Sequence, residues 1–215
     1  MQKLLILHFH NHKIQPRVRR EYDLLQGKYQ LFGLGYVDCM RKSVQFFVIN
    51  KPKWDWKKKL VQRFFLLFRQ YERVYWNLPQ VKEAEKYLRE HSFDVILAHN
   101  EESIPLALKY KKNAKVIVNM HEYAPREFEN YFWWKFYFAP YKHYLCQTYL
   151  KQADYVYSIC EGIAQEYTKN YGIKCDVITS AAKYYAPPPY YLPKSPKKSN
   201  SSIMEWQVRR EGLKI

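Results

Sequence analysis

The stretch DVILAHNEESIPLALKYKKNAKVIVNMHEYAPR, residues 94–126, decides how the chain is read. It contains two continuous apolar runs, 95–98 and 115–120, separated by a pattern that fits one short helix. Runs of that length without alternation are expected of parallel strands covered on both faces. The first run ends in His99-Asn100-Glu101-Glu102 and the second in His121-Glu122. In an open parallel sheet the ligand crevice lies beyond the carboxyl ends of the strands. Both polar clusters fall at that edge, which makes His99, Asn100, Glu101, His121 and Glu122 candidate site residues.

Outward from this unit, strand and helix patterns keep alternating. Residues 3–9 read as the first strand, followed by the loop His8-Phe9-His10-Asn11-His12 and a helix opened by Pro16. Proline suits a helix start because its missing N–H costs nothing there. Val18, Tyr22 and Leu25 fall on one face of that helix. Arg17, Arg19 and Arg20 stand in its opening turns, where the helix dipole repels cations. A local rule broken at a strand-to-helix junction marks Arg17 and Arg20, with His10 and Asn11 beside them, as candidates for holding a phosphate or carboxylate. No carboxylate or cysteine accompanies the alternating histidines, so no metal is expected.

Residues 30–36 and 44–50 read as further strands, with Gly27 ending the first helix. Gly33-Leu34-Gly35 lacks the third glycine and following helix of a dinucleotide fingerprint. Residues 54–76 fit one long basic and aromatic helix, and 78–91 a second. Residues 131–150 read as a helix interrupted by Pro140. A strand at 155–160, a turn at Glu161-Gly162-Ile163, a helix at 164–171 stopped by Gly172 and a strand at 175–179 follow. The pattern predicts an α/β domain over residues 1–186, a doubly wound, mostly parallel Rossmann-like sheet of about seven strands.

Composition narrows the function classes. The 215 residues carry a formal net charge of +16, 18% aromatic residues and a mean hydropathy of −0.57. No apolar run reaches the ~18 residues of a membrane-spanning helix. The four cysteines are scattered without a C-x-x-C pair, and the first residues lack a cleavage site, so a cytoplasmic location is expected. The charge points to anionic partners, and no nucleic-acid recognition motif is present. Trp54, Trp56, Lys57, Lys58 and Lys59, with Trp133, Trp134 and Lys135, combine interfacial aromatics with lysines. That pairing predicts peripheral contact with the anionic inner face of a membrane.

After Ser180 the texture changes. Residues 187–215 begin as a proline-rich linker and continue as a polar tail without core-forming periodicity.

DVILAHN, VIVNMHEYAPREF, ADYVYSICEGIAQEYTKNYG and VITSA, in that order, resemble the amino-terminal domain of family 4 glycosyltransferases with the GT-B architecture. HFHNHKIQPRVRREYDLL is similar to that family's first strand and helix. The resemblance covers segments of residues 1–195. It implies sugar transfer from a nucleotide-sugar donor, without a metal or other cofactor, to a glycan or lipid-linked acceptor, usually with retention at the anomeric carbon. His121 matches the family histidine placed against the donor sugar, and Glu161-Gly162 the turn where relatives often carry Ser-x-Gly. His10-Asn11 corresponds to a loop often rich in glycine. A second Rossmann-like domain would hold the nucleotide and a Glu-x7-Glu pair, and would need on the order of 150 residues. The chain is therefore expected to be an acceptor-binding half, inactive alone. Read from the third base of an ATC codon at Ile203, the codons of Ile203-Met204-Glu205-Trp206-Gln207 can encode His-Gly-(Val or Met)-Ala. Relatives carry such a turn early in the second domain, so a frameshifted or disordered tail is expected. A non-enzymatic basic module binding anionic lipid or polymer is the alternative expectation.

Overall fold

The computed structural model describes residues 1–53 and 55–181. The linker and tail expected at 187–215, and Trp54, lie outside the described residues. The first compact unit is Met1–Ser180.

Its centre is a seven-stranded sheet in the order β3-β2-β1-β4-β5-β6-β7, and every neighbouring pair is parallel. The strands are β1 (Lys3–Leu7), β2 (Gln30–Gly35), β3 (Val44–Val48), β4 (Val95–His99), β5 (Lys115–Met120), β6 (Tyr155–Ser158) and β7 (Asp176–Val177). The helices are α1 (Pro16–Leu25), α2 (Trp56–Leu67), α3 (Tyr71–Trp76), α4 (Pro79–Glu90), α5 (Ile104–Tyr110), α6 (Ala139–Tyr149) and α7 (Glu161–Tyr171). Strand order reverses between β1 and β4, which opens a switch point at their carboxyl ends.

Alternation along the strands sends side chains to two cores. Leu5, Leu7, Ile96, Ala98, Val116 and Val118 face one core, closed by α3 to α7. Leu4, Ile6 and Leu97 face the other, closed by Val18 and Tyr22 of α1. The continuous apolar runs of β1, β4 and β5 follow from this covering on both sides.

Several boundaries differ from the sequence pattern. The single helix expected over 54–76 is two helices. The chain turns at Phe68–Gln70 with Arg69 at φ 53°, and the Gln70 N–H donates to the Phe65 carbonyl. Tyr71, Val74 and Tyr75 of α3 enter the core, whereas α2 buries only Leu66. One straight helix could not have met both demands. The helix expected over 131–150 changes character at Pro140. A π-helical turn at Trp134–Phe138 leads directly into α6, and the proline occupies an early position where its missing N–H is harmless. The turn expected at Glu161-Gly162-Ile163 is already the first turn of α7, while Gly172 ends that helix in the left-handed conformation.

Gly33 and Gly35 serve packing. A Cβ on Gly33 would sit 2.4 Å from Phe46 and the Tyr22 hydroxyl, and one on Gly35 would sit 2.5 Å from His12 Nε2.

Candidate functional site

The carboxyl ends of β1, β4 and β5 converge on a cavity of about 180 Å³. His8, Phe9 and His10 line it from the β1 loop, and His99, Asn100, Glu101, Glu102 and Ser103 from the end of β4. Glu122, Ala124 and Glu127 follow β5, and Lys142 reaches in from α6.

Two buried tyrosines hold the loops that shape this space. The Tyr75 hydroxyl donates to the Glu102 carbonyl at 2.8 Å and accepts the Leu106 N–H at 3.2 Å. The Tyr167 hydroxyl donates to the Glu122 carbonyl at 2.8 Å and accepts the Ala124 N–H at 3.0 Å. The Leu106 and Ala124 N–H groups stand in first helical turns, where donors lack intrahelical partners, and each tyrosine pairs one of them with a loop carbonyl. Asn100 adopts φ 60°, which turns its side chain back so that Oδ1 accepts the His121 N–H at 3.4 Å.

Beneath the cavity lies a chain of polar contacts. His121 Nε2 and His99 Nδ1 are 2.8 Å apart. On its other side His99 Nε2 faces Glu21 Oε2 at 2.8 Å. Glu21 Oε1 accepts from Asn119 Nδ2 at 2.9 Å and from the Tyr157 hydroxyl at 3.2 Å. Burial works to raise the Glu21 pKa, but His99 and these donors outweigh it and hold the carboxyl below its ordinary range. One proton lies between His99 Nδ1 and His121 Nε2, and the tautomer of the pair sets which ring donates. Burial, then His99, Arg17 and His10, push the His121 pKa down to about 2, so its imidazole is neutral. His8 is likewise held well below 6.5, by burial first and then by the neighbouring imidazoles.

The cavity side is acidic. Lys142, only 7% exposed, pairs with buried Glu101 and, at 2.6 Å, with Glu102. Burial opposes the ammonium, and the two carboxylates outweigh it, holding the Lys142 pKa well above 10.5. Glu102 is lowered by Lys142 against its own burial. Glu127 moves the other way, to about 7. Burial raises it, Lys142 opposes, and Glu122 and Glu101 add repulsion, with a Glu122 hydrogen bond favouring the protonated form.

The structure brings His10, His99, Asn100, Glu101 and Glu122 to one cavity. His121 lies directly behind it, 5% exposed, against His99. Arg17 is half-buried and near enough to His121 to act on its charge. Arg20 is not among the cavity residues and donates to the Ser180 hydroxyl. Asn11 caps its own turn by accepting the Lys13 N–H at 3.0 Å. Glu161 and Gly162 are exposed at the start of α7 and are not among the cavity residues, and Glu161 accepts from Gln165. His12 is buried, with Nδ1 on the Tyr22 hydroxyl and Nε2 on the His8 carbonyl. Sequence reasoning missed Glu21, Ser103, Glu127 and Lys142 as site residues. Lys142 carries one weak signal, a lone cation in an aromatic helix. The others have none that is local.

The expected membrane residues divide. Trp56, Lys57, Lys58, Lys59, Trp133 and Lys135 are exposed, whereas Trp134 is half-buried and donates to the Pro125 carbonyl at 3.3 Å. No helix among the described residues is long and apolar enough to cross a membrane.

Comparison with known proteins places these observations. No curated protein matches the chain. Two solved structures of Anabaena Alr3699/HepE share the fold. The complex with UDP-glucose has a TM-score of 0.51 at 11% identity, covering 83% of this chain and 44% of that one. The complex with UDP and glucose has a TM-score of 0.52 at 12% identity, covering 85% and 45%. The chain thus spans less than half the length of the structures it matches. The sequence profile of Glycosyltransferase Family 4 matches residues 43–180, which include β4, β5 and the histidine pair between them, and the chain belongs to that family.

Proposed function

We propose that this chain is the acceptor-binding half of a nucleotide-sugar-dependent glycosyltransferase acting, with retention, on a glycan or lipid-linked acceptor. The observation that carries the reading is the family match over residues 43–180, which contain most of the cavity at the β1–β4 switch point. In this reading the acceptor enters the cavity from the side of His10, Asn100, Glu101 and Glu122. Neutral His121, held against His99 behind the cavity, is assigned to the donor-sugar side, and the nucleotide is held by a second domain. Arg17 is positioned to meet an anionic group of either ligand. Fixed dipoles in a site shielded from water stabilise developing charge without reorganising.

UDP-glucose, which Alr3699/HepE binds, is the first donor to test. The chain joined to a donor-binding domain should transfer sugar from a nucleotide donor, and His121→Ala should lower kcat by about 10²-fold or more. A rate indifferent to His121→Ala would overturn its placement at the reaction centre. No transfer from any nucleotide sugar would overturn the reading itself.

One observation favours a peripheral membrane location as well. Helix α2 packs against the Trp134–Phe138 turn. Together they expose Trp56, Leu60, Phe64, Phe68, Phe132, Trp133 and Phe136 beside Lys57, Lys58, Lys59, Arg63 and Lys135. An apolar surface bordered by lysines matches an anionic bilayer, where each basic residue adds about 1 kcal/mol. Co-sedimentation should rise with the phosphatidylserine content of vesicles and fall with salt, and Phe64→Ser with Phe132→Ser should abolish it. Binding that ignores lipid charge would sink this part of the proposal.

A further inference from the structure

We infer that the cavity between the ends of β1, β4 and β5 is a subsite for a protonated amine carried on a hydroxyl-bearing ring, that is, for an amino sugar. The inference deepens the acceptor reading above and rests on it. In a chain whose net charge is +16, this cavity is lined by four carboxylates, Glu101, Glu102, Glu122 and Glu127, and by one ammonium, Lys142. Lys142 touches both Glu101 and Glu102 and so can balance one of them. The second, with Glu122 and Glu127 exposed at the mouth, leaves an excess of negative charge that attracts a cation.

A second observation points to a ligand. Ser103 is fully buried and lines the cavity, yet its hydroxyl has no hydrogen-bond partner. His8, 5% exposed, lines it as well, and its Nδ1 is equally unpartnered. Unpartnered buried polar atoms are rare and call for a water or a ligand. A hydroxyl donor and a ring nitrogen beside carboxylate acceptors can serve the alternating donors and acceptors of sugar hydroxyls. A cavity of about 150 Å³ takes benzene, so this one, at about 180 Å³ and open at its mouth, encloses part of one sugar ring and leaves the rest outside.

The same surplus charge favours a proton on Glu127. Glu127 is raised to about 7 by burial, against Lys142, and by Glu122 and Glu101. Those are the charged groups facing it from the ends of β5 and β4 and from α6. On its own segment Arg126 is committed to Glu129. A ligand ammonium would take the place of that proton and release it, whereas a carboxylate or phosphate would meet the same repulsion that retains it.

The test is calorimetric titration of the purified chain at pH 7 with glucosamine, glucose and glucuronate, one ring carrying positive, zero and negative charge. Glucosamine should bind about tenfold more tightly than glucose, the difference one charge-assisted hydrogen bond makes, and glucuronate should not bind. Repeated in phosphate and in Tris, the heats should show proton release, and Glu127→Gln should remove it while retaining the near-UV spectrum of the fold. Glu122→Gln is the second variant, expected to weaken glucosamine and spare glucose. Equal or tighter binding of glucose or glucuronate, binding unchanged in both variants, or no binding of any of the three overturns the inference. A preference for glucose would leave the acceptor reading standing, and the transfer assay decides that reading separately.

Discussion

Three buried histidines make the domain sensitive to acid. His8, His12 and His121 are all held below 6.5, His12 to about 4 and His121 to about 2, with burial the first cause in each. The unfolded chain therefore binds protons that the folded chain refuses, so stability is full above pH 6.5 and is lost as pH falls below it. Each histidine forfeits about 1.4 kcal/mol per pH unit in that window. Glu127, raised to about 7 but partly exposed, opposes the trend by less than one histidine's worth. Urea unfolding should accordingly give a free energy about 2–4 kcal/mol lower at pH 5.5 than at pH 7.5. A flat or rising profile would show that the imidazoles are not buried neutral. Glu21 carries the electrostatic load behind them. Glu21→Gln should cost about 1–3 kcal/mol, because it leaves His99 facing a neutral amide in a buried site. Glu161→Gln, an exposed change, should stay within about 0.5 kcal/mol. Equal costs would contradict the relay from Glu21 through His99 to His121.

The loops after β4 and β5 owe their shape to hydroxyls reaching in from α3 and α7. Removing the Tyr167 oxygen strands the Glu122 carbonyl and the Ala124 N–H at once. Removing that of Tyr75 strands the Glu102 carbonyl and the Leu106 N–H. Tyr167→Phe and Tyr75→Phe should each lower unfolding free energy by about 1–3 kcal/mol, and hydrogen exchange should accelerate at Ala124 and Leu106 respectively. A Phe variant as stable as the parent would mean that water replaces the hydroxyl. The two central strands and the polar clusters at their ends were legible in residues 94–126, since apolar runs and strand-end polar residues are local signals; the switch point was not, because it depends on strand order. The tyrosines were not. Tyr75 lies 31 residues from Leu106 and Tyr167 lies 43 from Ala124, and a tyrosine in a helix reads as core until its hydroxyl is seen to have a destination.

The chain spans less than half of the Alr3699/HepE structures it resembles, and under the proposed function its described residues would supply one wall of a site. A cleft must close over a nucleotide sugar before transfer, because closure excludes water and completes the reacting constellation. The 215-residue chain by itself should therefore show no transfer from radiolabelled nucleotide sugars at any acceptor concentration. Turnover by the purified chain that is lost in His121→Ala would refute this. Amine binding in the cavity requires no donor and should persist in the same preparation.

By itself the sequence determined the α/β class, the parallel strands, the family and the edge at which the polar strand ends converge. Those follow from apolar runs, glycine and proline placement and motif order, which act over a few residues. Folding alone decided that Arg20 turns toward Ser180, that Glu161 stays outside the cavity, and that Glu21 and Lys142 take opposite sides of the histidines. Glu21 meets Asn119 across 98 positions, and Lys142 meets Glu101 across 41. The order in which the strands lie side by side creates such pairs, and no spacing along the chain encodes them.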